Sequence, residues 1–396
     1  MEYFNMNAIG MIVEINPFHN GHKVHIDETR KITGKGIVAV MSGNFVQRGE
    51  PALIDKWRRT KTALLNGVDI VLELPVPYVI SGADYFARGS VNLLASTGIV
   101  DTLSFGSECG NIQAIKDASQ ILAEEPQIYK DSLKNTIKKG LSFAAAKGIA
   151  LESTLKNIPE GLLTKPNNGL AMEYCKALAL IGNPMEIITT HRQQGGTSAT
   201  KIRKAFHNGE LLIDQMPKNC QEILTDAHKK NETAHLNDFT QIIKYLLQSE
   251  QTTNINLGEG LENRFRQKAG NYAVLTELIS AVKTKRYTRT RIQRAAMQIL
   301  LKITAQDMNE YENNGGIQYI RVLGFRKDAT NVLSQLTKKS TLPVITHGKA
   351  IDQIISQGGI PSKMLAKELE AGDIYRIATK QKGGYQNERS HPIIKI

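Results

Sequence analysis

Two histidines three residues apart, His19 and His22, bracket Asn20 and Gly21 in the stretch "GMIVEINPFHNGHKVH" (Gly10–His25). Paired imidazoles can stabilise negative charge developing on a phosphate oxygen. A glycine between them lets the phosphate approach the backbone closely. A polar turn, or half of a metal site, would use the same letters. The context favours phosphate chemistry, because an apolar strand and an Asn-Pro turn precede the pair and a helix follows. The backbone N–H groups at a helix N-terminus attract an anion. A second stretch, "SATKIR" (Ser198–Arg203), offers Ser198 or Thr200 as a helix cap, with Lys201 and Arg203 in the first turn. Cations there oppose the helix dipole unless an anion lies between them. Alone it also reads as a plain capped surface helix. A third stretch, "KTKRYTRTRIQRAAMQILLK", holds Lys283, Lys285, Arg286, Arg289, Arg291, Arg294 and Lys302, with Tyr287 among them and no acidic residue. Arg and Lys neutralise phosphates, and Tyr or Arg stacks on a base in a single-stranded loop. An amphipathic helix accounts for Ile292, Ala296, Ile299 and Leu300 but does not require unrelieved positive charge ahead of them.

These residues need elements to hold them. "AIGMIVEI" (Ala8–Ile15) is a strand with no polar face, as in a parallel sheet covered on both sides. A helix from about Gly21 to Ile32 follows, then "GIVAVMSG" as a strand, "IDKWRRTKTALLNG" as a helix and "DIVLELPV" as a strand. "FARGSVNLLASTG" reads as helix, "TLSFGSE" as strand, Gln127 to Ala150 as basic helix, "PNNGLAMEYCKALALIG" as helix and "MEIITTHR" as strand. This alternation predicts an α/β fold with a doubly wound, Rossmann-like parallel sheet, followed by a mainly helical C-terminal domain. The boundary is placed at 210/211, and "QYIRVLGF" and "LPVIT" are expected to form a small strand-containing appendix to the second part. Ligands of such sheets bind beyond the carboxyl ends of the strands, where "NPFHNGH", "SGNFVQRGEP", "ELPVPY" and "FGSE" would lie. In "SGNFVQRGEPALIDKWRRTK" the cations Arg48, Lys56, Arg58, Arg59 and Lys61 could line that site or form a solvated helix face. Asp69 and Glu73 are given no catalytic role.

Composition sets the outer bounds. A chain of 396 residues exceeds one ordinary core. With 41% hydrophobic and 22% charged residues it is globular rather than disordered. No run approaches a membrane span, and the N-terminus lacks the features of a signal peptide. Cys109, Cys175 and Cys220 show neither disulfide nor zinc spacing, so a reducing cytoplasm is expected. The net charge of +12 favours polyanionic partners without bearing on the fold.

An H-x-G-H turn after the first strand together with an S-x-T-K-I-R helix start resembles the nucleotidylyltransferase superfamily. The ordered segments "GMIVEINPFHNGHKVH", "VAVMSGNFVQRGEPALIDKWRRTKTALLNGVDIVLELP", "FARGSVNLL", "FGSE", "PNNGLAMEY" and "KRYTRTRIQRAAMQILL" narrow this. Together they resemble the bacterial tRNA(Met) cytidine acetate ligases over nearly the whole chain. The resemblance implies that acetate is joined to AMP and the acetyl group passed to the exocyclic amine of the wobble cytidine of elongator tRNA(Met), giving N4-acetylcytidine. It implies catalytic roles for His19 and His22, and ATP binding by Ile12, Val13, Glu14, Ile15, Asn16, Pro17, Phe18, His19, Asn20, Gly21, His22, Lys23, Val24 and His25. Gly106, Asn167, Arg192, Ser198, Thr200 and Arg203 are implied to bind ATP as well, with magnesium on the outer phosphates. The tRNA is assigned to Lys283, Lys285, Arg286, Tyr287, Arg289, Arg291 and Arg294. No metal is expected on protein ligands. The chain departs from the family's pattern in two places. Only "QQGGT" separates Arg192 from "SATKIR", where a longer insert is usual, and Ile15 stands where a tyrosine is expected. Two rivals use the same features: adenylyl transfer to a small phosphate ester, and a non-catalytic RNA-binding protein on the same scaffold. The first leaves the basic second half unexplained, and the intact motifs argue against the second.

Overall fold

The computed structural model describes residues 7–183, 185–191, 198–249, 257, 260–379 and 388–396. Its main sheet contains strands β1 (Ala8–Val13), β2 (Gly36–Ser42), β5 (Ile70–Leu74), β6 (Val100–Ser107), β7 (Glu186–His191), β8 (Ile320–Phe325), β9 (Val344–Ile345) and β10 (Ile394–Lys395). Strands β3 (Phe45–Val46) and β4 (Glu50–Pro51) form a separate antiparallel hairpin. The order across the main sheet is β10-β8-β5-β2-β1-β6-β7, with β9 beside β8. From β5 to β7 every pairing is parallel, while β8 runs antiparallel to β5. The chain winds outward from β1 through β2 to β5, then crosses to β6 and β7. The winding therefore reverses between β1 and β6, the position at which doubly wound sheets open a ligand crevice.

Alternation along the strands sends side chains into two cores. Ile9, Met11, Ile37, Ala39, Met41, Val71 and Leu323 pack with Ile202, Phe206, Leu224 and Ala227. Ala8, Val38, Val40, Ile70, Leu72 and Leu74 pack on the other face with Leu94, Ile115 and Met172, and this core continues into the helices of the second half. A sheet covered on both faces explains why its central strands carry no polar alternation. "QYIRVLGF" and "LPVIT", expected as a small appendix, instead become β8 and β9 of the main sheet. The sheet thus draws strands from both sides of position 211.

A buried ionic cluster ties these halves together. Lys56 opens helix α2 (Lys56–Leu65), and its Nζ lies 2.7 Å from Glu73 Oε1 and 2.7 Å from Glu388 Oε2. Arg321 of β8 faces the same two carboxylates at 3.1 and 3.3 Å. Glu368 lies 4.0 Å from Lys56, and its carboxylate accepts the Val76 N–H at 2.6 Å. All five side chains are buried. Burial pushes the Glu368 carboxyl well above the ordinary range, aided by the nearby Glu73 charge. Glu388 is instead held down to about 2, because Lys56 and Arg321 outweigh its burial. Two cations thus face Glu73 and Glu388, with Glu368 beside them. The chain end closes over this cluster: His391 stacks on Trp57 with centroids 3.9 Å apart, and β10 extends the sheet.

Candidate active site

His19 is the N-cap of helix α1 (Asn20–Thr33), directly beyond β1. Its Nδ1 accepts the Gly21 N–H at 3.1 Å, and His22 Nδ1 accepts the His19 N–H at 3.1 Å. The two rings stack with centroids 3.8 Å apart, and Phe18 packs against His22. Imidazoles thus perform the reciprocal capping that Ser/Thr and Glu usually provide. An accepting Nδ1 places the neutral ring's proton on Nε2, so each ring offers an Nε2–H as donor. The sequence explains the arrangement: Asn16 and Pro17 turn the chain, and His19 adopts extended backbone that starts the helix. Ile15 takes a left-handed φ of 50° and is fully buried. A β-branched residue in that region carries strain, a feature found at functional sites. In place of the expected tyrosine, Ile15 supplies apolar core.

The second motif meets the first. Ser198, not Thr200, caps helix Ala199–His207, accepting the Lys201 N–H at 3.2 Å, and Thr200 is exposed. Arg203 donates to the Asn16 carbonyl at 2.6 Å and to Glu50 Oε1 at 2.6 Å. Although 187 residues apart, Asn16 and Arg203 are in direct contact. Asn20 donates to the Asp214 carbonyl on the same side.

The remaining expected ATP residues divide. Ile12 and Val13 are half-buried at the end of β1, while Asn16, Pro17 and Phe18 are buried. Gly21 is exposed at the start of α1. Lys23 pairs with Asp27 at 2.6 Å along the helix surface, and Val24 is exposed. His25 Nε2 lies 3.0 Å from Ser104 Oγ, spanning β1's helix and β6. Gly106 is near the end of β6, paired with Thr190 of β7. Asn167 donates to Glu108 Oε1 at 2.6 Å, and the Asn168 N–H donates to Glu108 Oε2 at 3.0 Å. Glu108 therefore caps helix Pro166–Ile181 just beyond β6. Arg192 lies outside the described residues.

Sequence reading named Arg59 among the site's possible cations but missed that it holds these loops in place. Arg59 is fully buried in α2 and donates to the carbonyls of Glu14 (2.6 Å) and Ser42 (2.8 Å), and also to that of Gly43. It clamps the ends of β1 and β2 side by side. Burial lowers its pKa to about 10, leaving it charged at neutral pH. Nothing in "KWRRTK" distinguishes Arg59 from Arg58, which pairs with Asp55 and Glu232. Lys61 and Arg48 are exposed.

The basic segment also divides. Lys283, Lys285, Arg286 and Arg289 are exposed, whereas Tyr287, Arg291 and Arg294 are half-buried. Arg291 donates to the Leu257 carbonyl, and Arg294 to the Gln47 carbonyl at 3.4 Å. Gly49 lies against the same helix, Arg289–Leu301: at φ 76° a Cβ there would sit 2.2 Å from the Arg294 nitrogen. The β3–β4 hairpin therefore joins the histidine loop to the basic helix. Among the described residues no group of three or more His, Cys, Asp or Glu is placed to hold a metal ion. Among them, too, no helix is long and apolar enough to cross a membrane.

A family model described as HIGH Nucleotidyl Transferase matches residues 6–390. The tRNA(Met) cytidine acetate ligase of Thermoanaerobacter sp. (strain X514) is 40% identical, the match covering 99% of this chain and 100% of the relative. That of Acetivibrio thermocellus is 38% identical, covering 95% and 96% respectively. The crystal structure of Thermotoga maritima TmcAL bound with alpha-thio ATP superposes with a TM-score of 0.90 at 32% identity, covering 99% of this chain and all of that one.

Proposed function

Because the chain belongs to the HIGH nucleotidyl transferase family, and within it to the tRNA(Met) cytidine acetate ligases, we propose that it activates acetate with ATP and acetylates the wobble cytidine of elongator tRNA(Met). The observation that carries this reading is the contact of Arg203 with the Asn16 carbonyl. It brings "SATKIR" and "HNGH" to one end of the sheet, at the reversal between β1 and β6. Magnesium bound with ATP would neutralise charge on the outer phosphates. Acetate attacks the α-phosphorus, and the Nε2–H groups of His19 and His22 stabilise charge on the α-phosphate oxygens as pyrophosphate leaves. Helix Ala199–His207 faces the outer phosphates with its N-terminus, the end whose partial positive charge favours them. The cytidine amine then attacks the acetyl carbon of acetyl-adenylate and AMP departs. Residues 1–210 carry adenylation and residues 211–396 carry the RNA, with β8–β10 returning to the sheet. A cytoplasmic location follows from this substrate.

The test is acylation of purified tRNA(Met) with radiolabelled acetate and ATP, followed by mapping of the labelled nucleoside. Label at the wobble cytidine supports the reading, and label absent despite ATP binding overturns it. RNA binding is expected to centre on the exposed cations. Replacing Lys283 and Lys285 with Ala should weaken tRNA binding and flatten its salt dependence, by up to about one unit of log–log slope for each phosphate that is no longer neutralised. Filter binding across a salt series measures this. An unchanged slope would place the tRNA elsewhere.

A further inference from the structure

The ligase reading counts Glu14 in the ATP-binding stretch but gives its carboxyl, at the same end of the sheet, no chemical task. Glu14 is the residue immediately after β1. Its backbone carbonyl is clamped by Arg59, and its Oε1 accepts the Gln47 N–H at 2.5 Å. Among the described residues nothing donates a hydrogen bond to Oε2, and the residue as a whole is half-buried. The neighbouring carboxylates are committed elsewhere. Both oxygens of Glu108 cap a helix, both oxygens of Glu73 face Lys56 or Arg321, and Glu50 pairs with Arg203. Gln47 supplies a second link. Its N–H holds Glu14 while its carbonyl accepts from Arg294 of the basic helix. The carboxyl thus sits between the phosphate-binding turn and the element that carries the exposed cations.

Acyl transfer to a cytidine amine needs a proton acceptor. The attacking nitrogen becomes cationic as the C–N bond forms, and reverts unless its proton is removed. We propose that Glu14 is the general base of the transfer step. The N4 lone pair forms the bond to the acetyl carbon, and the bond from that carbon to the AMP oxygen breaks. AMP leaves with the bonding electrons, the N4 proton passes to Glu14 Oε2, and Glu14 later returns it to solvent. Burial raises the Glu14 pKa above the ordinary glutamate value, with Glu50 adding to the rise. The Gln47 N–H and the charges of Arg48 and Arg203 oppose it. Arg59 and Tyr174 are the other titratable groups that feel its charge. A raised pKa strengthens a carboxylate as a base.

The inference rests on the ligase reading, so the experiment separates the two. Native protein, Glu14→Gln and Glu14→Asp are compared in two assays: acetate-dependent ATP–pyrophosphate exchange, and single-turnover transfer of labelled acetate to tRNA(Met). In Glu14→Gln the ratio of transfer to exchange should fall about 10²–10⁴-fold, with partial recovery in Glu14→Asp. Native transfer should rise with pH through the raised Glu14 pKa and then level, and that rise should vanish in Glu14→Gln. Exchange and transfer falling in parallel, or a pH rise persisting in Glu14→Gln, would overturn the base assignment. Absence of acetate-dependent exchange in native protein would overturn the ligase reading instead.

Discussion

His22→Ala is expected to lower acetate-dependent ATP–pyrophosphate exchange by about 10²–10³-fold while leaving a folded protein. The two effects of the substitution can be weighed. Losing one donor to a developing oxyanion costs about 2.7–4 kcal/mol of transition-state stabilisation. Losing the His22 Nδ1 acceptor of the His19 N–H removes half of a reciprocal cap, worth about 1 kcal/mol of stability. Catalysis should therefore suffer far more than folding. His22→Asn makes the comparison sharper, because an amide can still accept the N–H. If the Asn variant recovers thermal stability without recovering exchange, the ring acts on substrate. Recovery of both would make the histidine a cap and no more.

Lys56→Met is expected to have the largest effect on stability. Lys56 lies between Glu73 and Glu388 with no exposed side-chain surface. Removing one partner of a buried ion pair typically costs about 3–5 kcal/mol, since the remaining charges stay desolvated. Arg321 would then face both carboxylates alone. Thermal and urea unfolding measure the loss, and a change below about 1 kcal/mol would mean that the cluster is already hydrated. The acid response has a definite sign. Glu388 is depressed to about 2 in the folded protein. Its contribution is complete above the ordinary glutamate range near 4.3 and is lost as pH falls from there toward about 2. Loss of Lys56 should shrink that acid-dependent component. Because Lys56 opens the helix that carries Arg59, the damage should also reach the loops that Arg59 clamps.

Local signals made much of this molecule legible before its structure. The apolar run at Ala8–Val13, the Asn-Pro turn and His19 as a helix start are consecutive in the chain, so their roles could be read in order. The S-x-T-K-I-R helix start was also local, and Ser198 takes the cap expected of Ser198 or Thr200. What escaped is non-local. The β8–β5 pairing joins residues some 250 positions apart, and a six-residue strand carries no mark of its partner. Burial of charge is equally silent. Lys56 and Arg59 read as either lining the site or forming a solvated helix face, because their partners come from β5, Glu368, the chain end and three backbone carbonyls. Arg291 and Arg294 belong to an unbroken basic run, yet both reach backbone carbonyls of the protein itself. Residue type there indicated charge but not direction.

The central claim is that the paired imidazoles join AMP to acetate. Acetate-dependent exchange of labelled pyrophosphate into ATP by native protein, with His19→Ala and His22→Ala as controls, tests it most directly. Exchange is expected to require acetate and to collapse in both variants. Exchange independent of acetate, or undiminished in the variants, would contradict it.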